Sequence, residues 1–245
     1  MKIRIKFRKY GVMKFIGHLD VMRFFQKAIR RSGLDIVYTE GYSPHQVMSF
    51  AAPLGLGLTS DGEYMDIELH SSPEPAEAIH RLNEQMVEGI EVVDYRMLKQ
   101  QSHSAMSVVA AADYEISCRY RPASFFEDSA ILEHFLNEEH ILIEKKTKKS
   151  VQMVDIRPMV YSACMEFIEK KPVLRVRLAA GSSRNLKPEL LLDALCTYAG
   201  CERGAFDYLI HRAELYADIS ANEEEVRSFV PLSAYETEAE VCAGM

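Results

Sequence analysis

The chain has 245 residues, 48% of them hydrophobic and 27% charged, with a formal net charge of −7. That is ample apolar material for one large core or two ordinary ones, and it excludes a wholly disordered chain. No run approaches the roughly 18 uncharged apolar residues of a membrane-spanning helix, and the charged opening Met1-Lys2-Ile3-Arg4 is unlike the apolar stretch of a secretory leader, so a cytoplasmic protein with no membrane partner is expected.

The net charge conceals an asymmetry. Residues 1–60 carry Lys2, Arg4, Lys6, Arg8, Lys9, Lys14, Arg23, Lys27, Arg30 and Arg31 against only Asp20, Asp35 and Glu40. Residues 221–245 carry Glu223, Glu224, Glu225, Glu236, Glu238 and Glu240 against Arg227 alone. A basic end and an acidic end point to an anionic partner for the first.

The period of two over residues 2–9 predicts a strand with Ile3, Ile5 and Phe7 on one face and a wholly basic opposite face. A helix over 17–32 places Met22, Phe25 and Ile29 on one side and Arg23, Lys27, Arg30 and Arg31 on another, and Gly33 suits its C-terminal stop. A short strand over 34–39 leads into a long loop punctuated by Gly41, Pro44, Pro53, Gly55 and Gly57, the kind of segment that carries function. Strand 63–69, helix 75–87 and strand 90–98 complete a β-α-β, β-α-β order.

The same order restarts at Asp113: strand 114–120, a helix entered through a Ser124/Glu127 capping box, and strand 141–145. An additional hairpin is expected from 151–156 and 165–168, turning at Lys170-Lys171-Pro172. Strand 173–178, a helix over 188–199 with Pro188 in its first turn and Gly200 at its end, and strand 208–216 follow. The expected fold is α+β, two tandem ferredoxin-like (β-α-β-β-α-β) halves with antiparallel sheets. The first half spans 1–100, a polar linker 101–112, the second half with its extra hairpin 113–219, and an acidic, flexible tail 220–245.

Helices cover one face of such a sheet and leave the other open. If Ile3, Ile5 and Phe7 meet the helices, Lys2, Arg4, Lys6 and Arg8 form a row of cations suited to a phosphate backbone. The plainer alternative is a solvated strand, or pairing with acids such as Glu115. No aromatic RNA-binding signature of the common sheet-based kind is present, so RNA contact would rest on backbone and shape, with Tyr42, His45 and Phe50 of the long loop available to stack on bases. Lys145, Lys146, Lys148 and Lys149 form a second basic cluster.

His18, Asp20 and His45 are the acid–base or metal candidates of the first half, although helix capping by Asp20 and loop packing explain them as well. Gly55-Leu56-Gly57 lacks the third glycine of a dinucleotide loop, and neither a phosphate loop for nucleoside triphosphates nor a serine-nucleophile elbow occurs. Cys118, Cys164, Cys196, Cys201 and Cys242 are widely spaced, without a C-x-x-C pair, and read as reduced, mostly buried thiols rather than a metal site.

Gly17-His18-Leu19-Asp20 followed by Met22-Arg23, then Arg30-Arg31-Ser32-Gly33-Leu34, Gly41-Tyr42-Ser43-Pro44-His45, Ser49-Phe50-Ala51-Ala52-Pro53-Leu54-Gly55 and Glu63-Tyr64-Met65-Asp66 together resemble the radical SAM-linked proteins of bacteria, the DUF2344 domain. The resemblance is dense over 2–70 and looser to about residue 216. It implies a stand-alone partner of a separate radical SAM enzyme. This chain lacks the C-x-x-x-C-x-x-C that holds the 4Fe–4S cluster, so that cluster and S-adenosylmethionine belong to the partner and no cofactor is expected here. The family's neighbourhood implies RNA or ribosome components as the second partner, and it supplies no catalytic residue. The leading expectation is a non-catalytic RNA-binding or substrate-presenting accessory. The alternatives are an RNA-modifying or RNA-processing enzyme using His18, Asp20 and His45, and a protein-only adaptor.

Overall fold

In the computed structural model, which describes residues 1–120, 122–146, 151–204, 206–221 and 227–238, the alternation at the start of the chain forms strand β1 (Lys2–Lys9). Ile3, Ile5 and Phe7 are buried beneath helix α1 (His18–Ser32), and the Phe7 and Phe25 rings lie 4.7 Å apart. α1 begins after Gly17 and stops at Gly33, whose φ of 71° only glycine adopts without strain. It buries Val21, Phe25, Ala28 and Ile29, so Phe25 and Ile29 face inward as expected while Val21 takes the place of Met22, which is only half-buried.

The expected strand after α1 is shortened to β2 (Asp35–Ile36), and the long loop contains β3 (Met48–Phe50). β4 (Thr59–Ser71), α2 (Pro75–Asn83) and β5 (Ile90–Met97) follow. The strand order is β5-β1-β4, antiparallel throughout, with β2 and β3 both pairing with β4. Gly89 precedes β5 with a φ of 94°, and a Cβ there would lie 2.7 Å from the Tyr10 carbonyl oxygen, so the close approach of these two segments requires glycine.

Residues 101–112 do not behave as a linker. They form α3 (Ala105–Val108) and the start of β6 (Val109–Cys118), with Ala105 buried and its N–H donated to Asp66 at 2.7 Å. The chain resolves into two units, one of Met1–Ala110 with Glu214–Met245 and one of Ala111–Ala213.

The second unit continues with α4 (Ser124–Glu127), α5 (Ser129–Asn137), β7 (Leu142–Lys146), β8 (Val151–Asp155), β9 (Val160–Ile168), β10 (Lys171–Ala179), α6 (Pro188–Tyr198) and the first part of β11 (Tyr208–Asp218). No capping box forms at Ser124. The side-chain cap belongs to Asp128, which accepts from the Ala130 N–H at 3.0 Å at the start of α5. The extra hairpin also uses different partners. β8 pairs with β7, in the register from Leu142↔Asp155 to Lys146↔Val151. β9 pairs with β10, turning at Glu169 and Lys170 while Pro172 sits inside β10 opposite Phe167. β10 lies between β9 and β6, and β6 between β10 and β11.

Part of the expected flexible tail is folded. β12 (Phe229–Pro231) pairs with β11 in the register Tyr216↔Pro231, and Leu232 is fully buried. Glu223, Glu224, Glu225, Glu240 and Cys242 lie outside the described residues, as do Lys148 and Lys149 of the second basic cluster. The described residues therefore form a mixed α/β protein with mostly antiparallel sheet and six α-helices, none of them long and apolar enough to cross a membrane.

Phe25 meets Phe7, Phe24 and Phe50 through its ring and is fully buried. Truncation by Phe25→Ala is expected to lower unfolding free energy by about 3–5 kcal/mol, read from a urea titration.

Candidate nucleic-acid interface

The basic face of β1 is neutralised within its own unit. Arg4 is 1% exposed. Its Nε and one terminal nitrogen grip Asp66 at 2.9 and 3.1 Å, and the remaining N–H groups reach the carbonyl oxygens of Leu232, Tyr235 and His103, each at 3.2 Å. All five guanidinium donors are thereby used, which leaves none for a phosphate. Lys6 donates to Glu214 at 2.6 Å, and the other Glu214 oxygen accepts from the Tyr64 hydroxyl, also at 2.6 Å. Burial, followed by the adjacent Glu214 charge, pushes the Tyr64 phenol well above its ordinary range, so it stays a donor. Arg8 faces Asp61 and Glu91 at the surface, and Lys2 reaches the Ser102 carbonyl at 3.5 Å. The acids are therefore not Glu115, which pairs with Arg175 in the second unit.

A helix face takes the place of the sheet. Arg23, Lys27, Arg30 and Arg31 project from α1 into solvent at spacings of four, three and one, the outer stripe opposite Phe25 and Ile29. Arg23 meets Asp20 at 3.3 Å with both groups well exposed, a pairing worth little in water, and Arg31 reaches Gln85. The loop after β2 is fastened beside this stripe, because Gln46 donates to the Gln26 carbonyl at 3.1 Å. That loop holds Tyr42 fully exposed and Tyr38 and His45 at the surface. Phe50, expected with them, is instead packed on the core side, its ring centroid 5.9 Å from those of Phe7 and Phe25 and 5.2 Å from that of His18.

His18, Asp20 and His45 find separate partners: His18 the Phe50 ring, Asp20 the Arg23 guanidinium, His45 the Thr39 hydroxyl at 3.0 Å. No group of three or more His, Cys, Asp or Glu able to hold a metal ion occurs among the described residues. The charged groups that do lie near His18 are Lys9 and Glu63, 2% and 4% exposed. With Phe7, Val21, Phe50 and Leu54 they line a small hollow of about 10 Å³, room for one water molecule. Lys9 also donates to the Ile16 carbonyl at 2.8 Å. Both charges were readable in the sequence: Lys9 continues the inward phase of Ile3, Ile5 and Phe7, and Glu63 that of Leu69, Ile67 and Met65.

Among the described cysteines only Cys196 is buried, against the expectation of mostly buried thiols, and all four are free. Burial, opposed by the Tyr208 hydroxyl, pushes the Cys196 thiol up to about 11, where it is unreactive.

Residues 2–188 match the family model described as an uncharacterized protein conserved in bacteria, DUF2344. The chain belongs to this family. No curated protein matches the DUF2344 chain. Among solved structures, one chain from "Crystal Structure of a Cbf5-Nop10-Gar1 Complex" is similar over 87% of this chain at 10% identity and a TM-score of 0.44. This chain spans 48% of that one, and at that level the likeness carries no argument about function.

Two outcomes test this description. Arg4→Ala leaves Asp66 and three carbonyls without their donor and is expected to cost about 3–5 kcal/mol in chemical denaturation. Burial, assisted by Lys9 and opposed by Glu63, holds the His18 imidazole below its ordinary 6.5. A base with a depressed folded-state pKa contributes stability above its unfolded value and loses it as pH falls. The NMR titration midpoint of His18 is therefore expected below 6.5, and the wild type should lose more stability than His18→Gln on acidification from about pH 7 to about pH 5.

Proposed function

We propose that this DUF2344 protein is a non-catalytic RNA-binding or substrate-presenting accessory of a separate radical SAM enzyme in RNA modification or ribosome-related work, acting in the cytoplasm. The observation that carries the reading is the exposed stripe Arg23, Lys27, Arg30 and Arg31 with the loop of Tyr42 and His45 fastened beside it. Cations at helical spacing meet a phosphate backbone, and an adjacent exposed aromatic ring stacks on an unpaired base. The RNA-binding role thus moves from β1 to α1.

A partner surface adjoins the stripe. Val12, Phe15, Leu19 and Leu56 are all exposed, and the Gly57 N–H donates to the Lys14 carbonyl at 2.8 Å, which joins the two segments that carry them. Exposed apolar residues grouped in this way favour contact with another protein. The partner enzyme would contribute the 4Fe–4S cluster and S-adenosylmethionine. The order β5-β1-β4 with β2 alongside β4, and the order β9-β10-β6-β11, support our reading of each unit as ferredoxin-like. The separate partners of His18, Asp20 and His45 weigh against the enzyme alternative.

Fluorescence anisotropy with a single-stranded oligoribonucleotide tests the reading. Four phosphate contacts would make log K fall with log salt at a slope of about −3. Arg23→Glu/Lys27→Glu/Arg30→Glu should abolish binding with the fold intact, and Tyr42→Ala should weaken it by about 1–3 kcal/mol. Salt-insensitive binding, or binding that survives the triple reversal, would remove the α1 stripe as the RNA site, and no binding of RNA at all would leave a protein-only adaptor.

A further inference from the structure

The end of α6 brings two cysteines together. The helix stops at Gly200, whose φ is 65°, and the chain doubles back on itself. The Gly200 N–H donates to the Thr197 carbonyl at 3.2 Å, and the Cys201 N–H donates to the Cys196 carbonyl at 2.9 Å. In this pair of nested bonds the residue after the glycine folds onto the residue five positions before it. Here both of those residues are cysteines, and their thiols are in hydrogen-bond contact. With the Cys201 nitrogen 2.9 Å from the Cys196 oxygen, covalent geometry keeps the two Cα atoms within about 7 Å, the reach of a disulfide.

The two thiols differ in their surroundings. Cys196 is buried, with the Tyr208 hydroxyl 3.7 Å from its sulfur, and the Tyr208 ring stacks on that of Phe126 with centroids 5.9 Å apart. Cys201 is only half-buried and is the one an external reagent meets. Cys118, also half-buried, lies near Tyr208 as well.

We propose that Cys196 and Cys201 form a reversible disulfide with a low-molecular-weight disulfide of the glutathione class as oxidant, Cys201 reacting first and Cys196 second. The Cys201 thiolate attacks one sulfur of oxidised glutathione, whose S–S bond breaks, and the departing glutathione thiolate takes up the proton that Cys201 gave up. Cys196 then loses its proton, its sulfur attacks that of Cys201, and the second glutathione leaves with that proton. Two protein thiols are oxidised by two electrons, and one glutathione disulfide is reduced to two thiols. The burial that makes Cys196 inert to outside reagents does not bar this second step. The two side chains already touch, which gives an effective concentration far above that of any external thiol, and a thiolate of high pKa is the stronger nucleophile once formed. Oxidation also removes the Cys196 thiol hydrogen beside Tyr208. The site is independent of the RNA-binding reading.

The test incubates the full chain under native conditions with oxidised glutathione, blocks remaining thiols with an alkylating reagent, and reads tryptic peptides by mass spectrometry. Cys196 and Cys201 fall in one such peptide, which ends at Arg203 and holds no other cysteine. In the wild type this peptide is expected to lose two hydrogens and both alkylation sites together, and to regain them after treatment with a reductant. Cys196→Ser should trap Cys201 as its mixed disulfide with glutathione, and Cys201→Ser should leave Cys196 unmodified. Cys118→Ser should form the disulfide as the wild type does. A wild-type peptide that stops at the mixed disulfide, a bridge from either residue to another cysteine, or loss of the bridge in Cys118→Ser would each overturn the proposal.

Discussion

The Arg4–Asp66 pair is the constraint on which the first unit depends. A guanidinium and a carboxylate withdrawn from water cost several kcal/mol each unless every donor and acceptor is matched. Here the match is complete on the arginine side: Asp66 takes two donors, and His103, Leu232 and Tyr235 take the rest. Asp66 in turn accepts the Ala105 N–H. One ion pair thus fixes the register of β1 against β4 and ties down both the 103–105 stretch and the 232–235 stretch. Glu236, which accepts both the backbone N–H and a ring nitrogen of His103, fastens those two stretches to each other.

This explains where sequence reasoning succeeded and where it stopped. Strand alternation and helical periodicity are local, so β1, α1 and α6 were legible, as were the stops at Gly33 and Gly200. Alternation also showed correctly that Arg4 and Lys6 share the face opposite Ile3 and Ile5. What lies over that face is a non-local fact. The groups that neutralise Arg4 stand 62, 99, 228 and 231 residues away along the chain, and the acid facing Lys6 stands 208 residues away. A row of cations with nothing on top and a row matched by distant carbonyls have the same sequence signature. The pairing of β8 with β7 rather than β9 was missed for a related reason, since both neighbours offer a strand of suitable composition and only the ladder decides.

The candidate site was legible where its geometry is helical. Arg23, Lys27, Arg30 and Arg31 needed only the helix period to be placed on one exposed stripe. Tyr42 and His45 needed the loop's attachment, which rests on the single bond from Gln46 to Gln26. Phe50 was misplaced because β3 was not anticipated: once residues 48–50 pair with β4, the Phe50 ring turns towards Phe7 and away from the loop surface. The basic sheet and the basic helix therefore differ in kind. The first uses its charge to hold the fold together, and the second keeps its charge at the surface.

The division of the chain, with Ala111–Ala213 contiguous and the other unit assembled from Met1–Ala110 and Glu214–Met245, imposes an order on synthesis. Once residue 213 has left the ribosome the second unit has everything it contains. The first unit at that moment lacks Glu214, Leu232 and Tyr235, the groups that answer Lys6 and Arg4. At bacterial elongation rates the interval between Arg4 and Leu232 is on the order of 10–45 s. During it two of the carbonyls that answer Arg4, and the acid that answers Lys6, are still to be made, so the charges of β1 are matched last.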